Sequence, residues 1–330
     1  MTSYKMCLIF NRESDQDEKL PVIPLLFAGR DDLKEEYRDL KTALELINYY
    51  LHLWLIVCDF KILNKLLGLN GCWCKEPCFL CHWRAHLNLI EHYSRMGTWK
   101  KRVPVNNKLA RDKVSVFFNC LIPVDKVLLP ILHIKLGTFK QFIKSLFAYE
   151  RVCGQKTVKR TANEKAISFL MTFFHRKTED KIKSGTFNGP EIRRLMKSRE
   201  EFAACLRPKE KRCWRAFCAV VENFFGNYRA PNYKELVNEL KVAYKDNNVL
   251  MSLKTHYLFE HLDYFPKNCG GYSEEKGENF HQETRIFERR IKDRESMVVN
   301  FAYAKALEGE INLARMPKNK NLFFSRKTIP

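Results

Sequence analysis

The sequence predicts an α/β chain in which a few strands and helices are followed by a long helical block. Three observations carry this. Two apolar runs of strand length, 3–10 (SYKMCLIF) and 20–27 (LPVIPLLF), flank a polar stretch. A third run, LWLIVCDF, is continuously apolar, as in a strand buried on both faces, and ends at Asp59–Phe60. From Val114 onward the chain reads mostly as helix, and alternating elements followed by helices suit an α/β core with an all-helical insertion.

The first two runs, joined by the polar NRESDQDEK, read as an antiparallel hairpin with a loose loop. Asp31-Asp32 then opens a helical pattern, because Leu33, Tyr37, Leu40, Leu44 and Ile47 recur at spacings of three and four. The acidic pair suits the positive end of the helix dipole. After the LWLIVCDF strand, Lys61 to Leu69 reads as a short helix ending near Gly68. Residues 71–104 differ in texture. GCWCKEPCFLCHW reads as a Cys-rich strand, with His82, His86 and His92 in or just after it.

The helical block begins with VDKVLLPILHIKLGTFKQFIKSLF, read as broken at Pro130 and Gly137. EIRRLMKSREEFAACL, AFCAVVENFF and YKELVNELKVAYK follow, with loops at 185–190 and 227–232. Beyond Asn268, Gly270 and Gly271, Ser273 can cap a further helix. The resulting division is a core part at 1–104, a helical insertion at 105–265, a core helix with an acidic motif at 266–312, and a basic, weakly patterned tail at 313–330.

Composition narrows the function classes. Among 330 residues, 58 Lys+Arg against 38 Asp+Glu give a net charge of +20, which points to a polyanionic partner such as nucleic acid. A hydrophobic content of 45% excludes a disordered or fibrous chain. Leu44–Phe60 imitates a membrane span, but Glu45, Asn48, His52 and Asp59 interrupt it. Its purely apolar part, Leu53–Cys58, is far shorter than the ~20 residues a bilayer requires. The opening MTSYKMCLIF runs straight into polar residues and offers no export core, so the 12 cysteines are expected to be reduced thiols or metal ligands.

Three places carry candidate chemistry. Asp59 ends the most apolar strand, where a carboxylate either caps the next helix or meets a cation. In SEEKGENFH, a helix capped by Ser273 puts Glu274, Glu278 and His281 on one face. Carboxylates grouped this way can hold a hard cation, although an acidic first turn is equally natural. Cys78-x-x-Cys81 is half of a zinc site, with His82, His86, His92 and His133 as nearby imidazoles; the plainer alternative is two buried thiols. Trp54, Phe169, Phe173, Phe174, Phe224 and Phe225 read as core. Lys159-Arg160, Arg193-Arg194, Lys209–Lys211 and Arg289-Arg290 are solvated clusters that would track a phosphate backbone only if several shared one surface.

CDFKILNKLLGLN, EPCFLCHW, LPILHIKLG, NGPEIRRLMK, FFGNYRAPNY and HLDYFPKN…SEEKGENFHQ together resemble a group of transposable-element-derived proteins related to RNase H-like cut-and-paste transposases. The resemblance runs from about Ser3 to about Arg294. It implies an RNase H-like mixed sheet and three carboxylates that hold two Mg²⁺ or Mn²⁺ ions for DNA strand cleavage and transfer. Asp59 corresponds to the carboxylate ending the fourth strand and Glu278 to the one on the late helix, with Glu275 as substitute. Cys78, Cys81, His92 and His133 correspond to a structural Zn²⁺ site. In such relatives the first carboxylate and its strand precede the segment matching SYKMCLIF. The sequence as given therefore implies a catalytically incomplete, DNA-binding derivative. DNA as partner and a nuclear location, with the cytoplasm as alternative, accord with the same resemblance; the interrupted apolar run implies no membrane partner, and a homo-oligomer is left open. The competing readings are a non-enzymatic zinc-stabilised nucleic-acid-binding or interaction module and a cytosolic helical scaffold.

Overall fold

The computed structural model describes residues 5–10, 22–27, 37–46, 48–52, 54–69, 74–85, 87, 89–105, 108–109, 119–153 and 156–275. Strands β1 (Lys5–Phe10) and β2 (Val22–Phe27) form the antiparallel hairpin expected, in register from Lys5–Phe27 to Phe10–Val22. Helix α1 (Tyr37–Leu46) buries Leu40 and Leu44, two members of the predicted stripe. A single turn, α2 (Tyr49–His52), leads to β3 (Leu55–Val57). This strand is shorter than its apolar run and lies antiparallel to β1. Helix α3 (Phe60–Leu66) comes directly after it and ends at Gly68, whose φ of 63° lies in the left-handed region that glycine tolerates.

Residues 74–85 form no regular strand, contrary to the Cys-rich strand expected; their one ladder contact is an isolated bridge between Cys81 and Lys101. Pro77 removes a backbone donor here, and the run instead makes a tight turn ahead of α4 (Leu89–Ser94) and the short hairpin of β4 (Pro104–Val105) and β5 (Lys108–Leu109).

The stretch expected to be all-helical contains strands. β6 (Val127–Leu128) pairs parallel with β3 and completes a four-stranded sheet of order β2-β1-β3-β6. Its alternation sorts the two faces. Ile56 and Val127 join the main core, whereas Val57 and Leu128 pack with Leu55 and Tyr272 on the other side. Helix α5 (Ile131–Lys144) begins just after Pro130, as a proline-preceded helix should, and continues through Gly137 instead of breaking there. A Cβ at Gly137 would collide with the Lys254 side chain, so this glycine lets a later helix cross closely. A second hairpin, β7 (Tyr149–Cys153) and β8 (Lys156–Arg160), also interrupts the helical block.

The remaining described elements are helical: α6 (Glu164–Phe173), α7 (Glu179–Lys183), α8 (Gly189–Lys197), α9 (Arg199–Ala204), α10 (Pro208–Asn223), α11 (Tyr233–Asp246) and α12 (Leu253–Glu260). The run EIRRLMKSREEFAACL is thus two helices, divided at Ser198. Asn188 starts α8 with a capping box in which its side chain accepts from Glu191 N and Glu191 accepts from Asn188 N. The core of this block is aromatic. Trp214 stacks on Phe142 and Phe217 and meets Phe202 edge-on. Phe174, Phe224 and Phe225 are buried as expected, and Trp54, Phe169 and Phe173 are partly buried against the same core. No helix among the described residues is long and apolar enough to cross a membrane.

Candidate metal centre and the sheet edge

The turn at 76–85 is shaped by one buried cation. Arg102, whose side chain is fully buried, donates from Nε to the carbonyls of Cys78 (2.8 Å) and Cys81 (3.1 Å). A terminal nitrogen of the same guanidinium donates to Glu76 O at 3.0 Å and Glu76 Oε2 at 3.2 Å. Glu76 also meets His82 Nδ1 at 2.9 Å and Arg84 at 3.6 Å, so its carboxylate has partners on three sides. Arg102 N donates to Leu80 O and His82 N to Lys100 O. The outcome is a rigid knuckle that turns both cysteine sulfurs toward α12.

From the other side come His256, on α12, and His261, just past its end. Cys81 Sγ lies 3.3 Å from Nε2 of each imidazole, Cys78 Sγ lies 3.4 Å from His261 Nε2, and the two Nε2 atoms are 3.2 Å apart. All four donor atoms fall within 4.8 Å of one another. A tetrahedral zinc with Zn–S of about 2.3 Å and Zn–N of about 2.0 Å has S···N edges of roughly 3.5 Å and an N···N edge of roughly 3.3 Å. The observed spacings match that figure, and two thiols with two imidazoles are the donor set that zinc prefers. These residues could hold a metal ion such as zinc.

The surroundings suit a closed structural centre. Cys78, Cys81 and His256 are buried, and the Trp83 ring stacks on His256 at 4.6 Å. Burial alone would raise the Cys78 thiol, but its hydrogen bond with Cys81 and the nearby His256 and His261 hold it well below the usual thiol value. The same sulfur–sulfur hydrogen bond, with burial, pushes Cys81 up. These contacts favour the thiolate of Cys78, the form in which a cysteine binds a cation. Phe79 N donates to Tyr257 OH, and the Tyr257 ring stacks on Phe60 at 5.3 Å. The centre is thus tied to the first turn of α3.

The sequence anticipated the two cysteines but a different pair of histidines. His92 Nε2 hydrogen-bonds to Arg84 O at 2.9 Å, and its ring is tilted against that of Trp83 at 5.2 Å. His133 Nδ1 meets Glu274 Oε1 at 2.9 Å at the start of α5. His86 lies outside the described residues. The missed pair did carry a signal. His256-x₄-His261 completes Cys-x₂-Cys…His-x₃₋₅-His, but 175 positions separate Cys81 from His256, and a local search does not join them.

At the sheet edge, Asp59 does what a plain cap does: its Oδ1 accepts from Lys61 N at 2.7 Å and Ile62 N at 2.9 Å. Glu278 and His281 lie outside the described residues. The start of the acidic motif is described. Ser273 Oγ accepts from Glu275 N, and Tyr272 packs against Val57 and Leu128. Glu274 accepts from Leu132 N and His133 N and so caps α5. Glu275 pairs with Arg193 and lies 4.0 Å from Lys135. Burial lowers the pKa of that lysine despite the Glu275 charge.

Residues 2–116 match the model of a domain of unknown function, DUF8703, and residues 131–226 match that of a second, DUF8704. Searches of the curated proteins and of the solved structures found no match.

Proposed function

We propose that this chain is a transposase-derived nucleic-acid-binding protein built on an RNase H-like sheet, with a structural Zn²⁺ held by Cys78, Cys81, His256 and His261. The observation that carries the reading is the order and direction of the sheet together with the carboxylate at the end of β3. In the resembled fold a carboxylate ends the fourth strand. Here Asp59 lies just past β3, which has a parallel neighbour, β6, on one side and an antiparallel hairpin on the other. The segment leading into the Glu278 motif lies on the same sheet through Tyr272. The charge of +20 supplies the affinity for a polyanion. Asp59 and Glu278 are the ancestral Mg²⁺ or Mn²⁺ ligands in this reading. The capping role of Asp59 favours binding over cleavage as the present activity.

Fluorescence anisotropy with labelled duplex DNA tests it. Binding is expected to weaken steeply as salt rises, with a log–log slope reporting several phosphate contacts. Weak binding with a flat salt dependence overturns the nucleic-acid reading and leaves an interaction module or scaffold. A nicking assay in Mn²⁺ with the native chain and Asp59→Asn separates residual cleavage from binding.

A further inference from the structure

The geometry points to a trough between α10 and α11 as the seat of a nucleic-acid phosphate backbone. This rests on the nucleic-acid reading above and adds to it the surface that does the binding. Two adjoining concavities, of about 740 Å³ and 450 Å³, share Lys209, Asp246 and Asn248 and so form one channel. Its cations come from three separate elements: Arg160 at the end of β8, Arg207 and Lys209 with Arg212 at the start of α10, and Lys245 at the end of α11.

The acids of the channel are largely engaged. Glu210 is buried, accepts from Arg207 N and Asn163, and serves the cap of α10. Asp246 is held by Arg212, which also binds Glu239. Lys209 Nζ donates to Asp246 O and Arg160 to Ser145 O, both neutral acceptors. Arg207 donates to the carbonyls of Thr161 and Ala162 and also lies 3.7 Å from Glu210 Oε1. A backbone carbonyl fixes a cation without cancelling its charge, so the channel keeps a positive excess. Asn247 adds a neutral donor. It is buried and lines the channel, and its Nδ2 sits by the Cys213 thiol without a hydrogen bond of normal geometry.

The lining also selects which part of a nucleic acid fits. Bases need an exposed aromatic face for stacking. The one aromatic residue of the lining, Tyr93, is buried and spends its hydroxyl on Val249 O. What remains is charge and hydrogen-bond donors, which contact phosphates and carry no sequence information.

The test uses the full zinc-loaded chain, labelled duplex DNA and two charge-matched double variants. Lys209→Gln with Lys245→Gln removes two trough cations, and Lys181→Gln with Lys183→Gln removes two exposed ones on α7. Each lost phosphate contact lowers the log–log salt slope by about 0.9, so the trough pair should flatten it by about 1.8. Referred to 1 M salt, that is a loss of about 60-fold at about 0.1 M. The control pair should stay near the native curve, and matching thermal melts confirm folding. If the trough pair binds like the control pair while the native chain binds DNA, the trough is overturned and the nucleic-acid reading stands. If the native chain fails to bind DNA, that reading falls and the trough with it. If the trough pair loses affinity for polyglutamate but not for DNA, the channel is an acidic-protein site and the proposal is overturned.

Discussion

Replacing Arg102 with methionine keeps an unbranched apolar stem, shortens the side chain by two heavy atoms and removes every side-chain donor. The native guanidinium is fully buried and serves Cys78 O, Cys81 O, Glu76 O and the Glu76 carboxylate. Each buried acceptor left unmet costs about 1–3 kcal/mol, and breaking a buried ion pair costs about 3–5 kcal/mol. The carbonyls retain second lone pairs, and Glu76 keeps His82 and Arg84, so the sum settles near the ion-pair range of about 3–5 kcal/mol. Arg215→Met is the control. Its pair with Glu200 lies at 2.9 Å, but both side chains are more than half exposed and screened by solvent, so the unfolding midpoint should barely move. Denaturant unfolding of the zinc-loaded protein measures both. Competition with a chromogenic chelator should show a 10–100-fold fall in zinc affinity for Arg102→Met, roughly what losing the partner that orients a ligand costs. A destabilisation under about 1 kcal/mol with unchanged zinc affinity would refute the claim that Arg102 holds the knuckle.

Elemental analysis should find one zinc per chain. Cys78→Ser and His256→Ala should each lose it, and His92→Ala and His133→Ala should retain it; the reverse pattern restores the ligand set that the resemblance implied. Asp59→Ala should cost about 1 kcal/mol through the lost α3 cap, while Asp59→Asn keeps the cap and costs a few tenths at most, as urea midpoints would show. Asn188→Ala should likewise cost about 1 kcal/mol by opening the capping box of α8. Burial pushes the thiols of Cys213 and Cys218 up to about 12 and that of Cys269 up to about 11. The folded chain keeps these protons while the unfolded chain releases them near pH 8.5, so their contribution is complete below that pH and drains away as pH rises toward 11–12. The slope is up to about 1.4 kcal/mol per pH unit for each thiol, and a flat stability profile between pH 8 and 10 would contradict it.

What the sequence revealed depended on how local the determinants were. The β1–β2 hairpin and the stripe of α1 could be read because alternation and helical spacing are properties of neighbours in the chain. The two-residue strand β6 could not, since Val127 and Leu128 make a strand only because β3 lies beside them. Gly137 looks like a breaker until the crossing with Lys254 supplies its reason. The cysteines of the metal centre announce themselves by spacing. His256 and His261 are selected by the packing of α12 against the knuckle, which no window of the sequence contains, whereas His92 and His133 are nearer in sequence and have other partners in space.

The reach of that Cys–His closure bears on how the chain is made. Cys78 leaves the ribosome 183 residues ahead of His261. At about 5–20 residues per second, the two sulfurs wait roughly 9–37 s for their imidazoles. During that interval nothing from α12 shields them, and an oxidant or a competing soft metal meets a bare dithiol. Yield from a cell should then depend on zinc supply and reducing conditions during synthesis, more than on either after release.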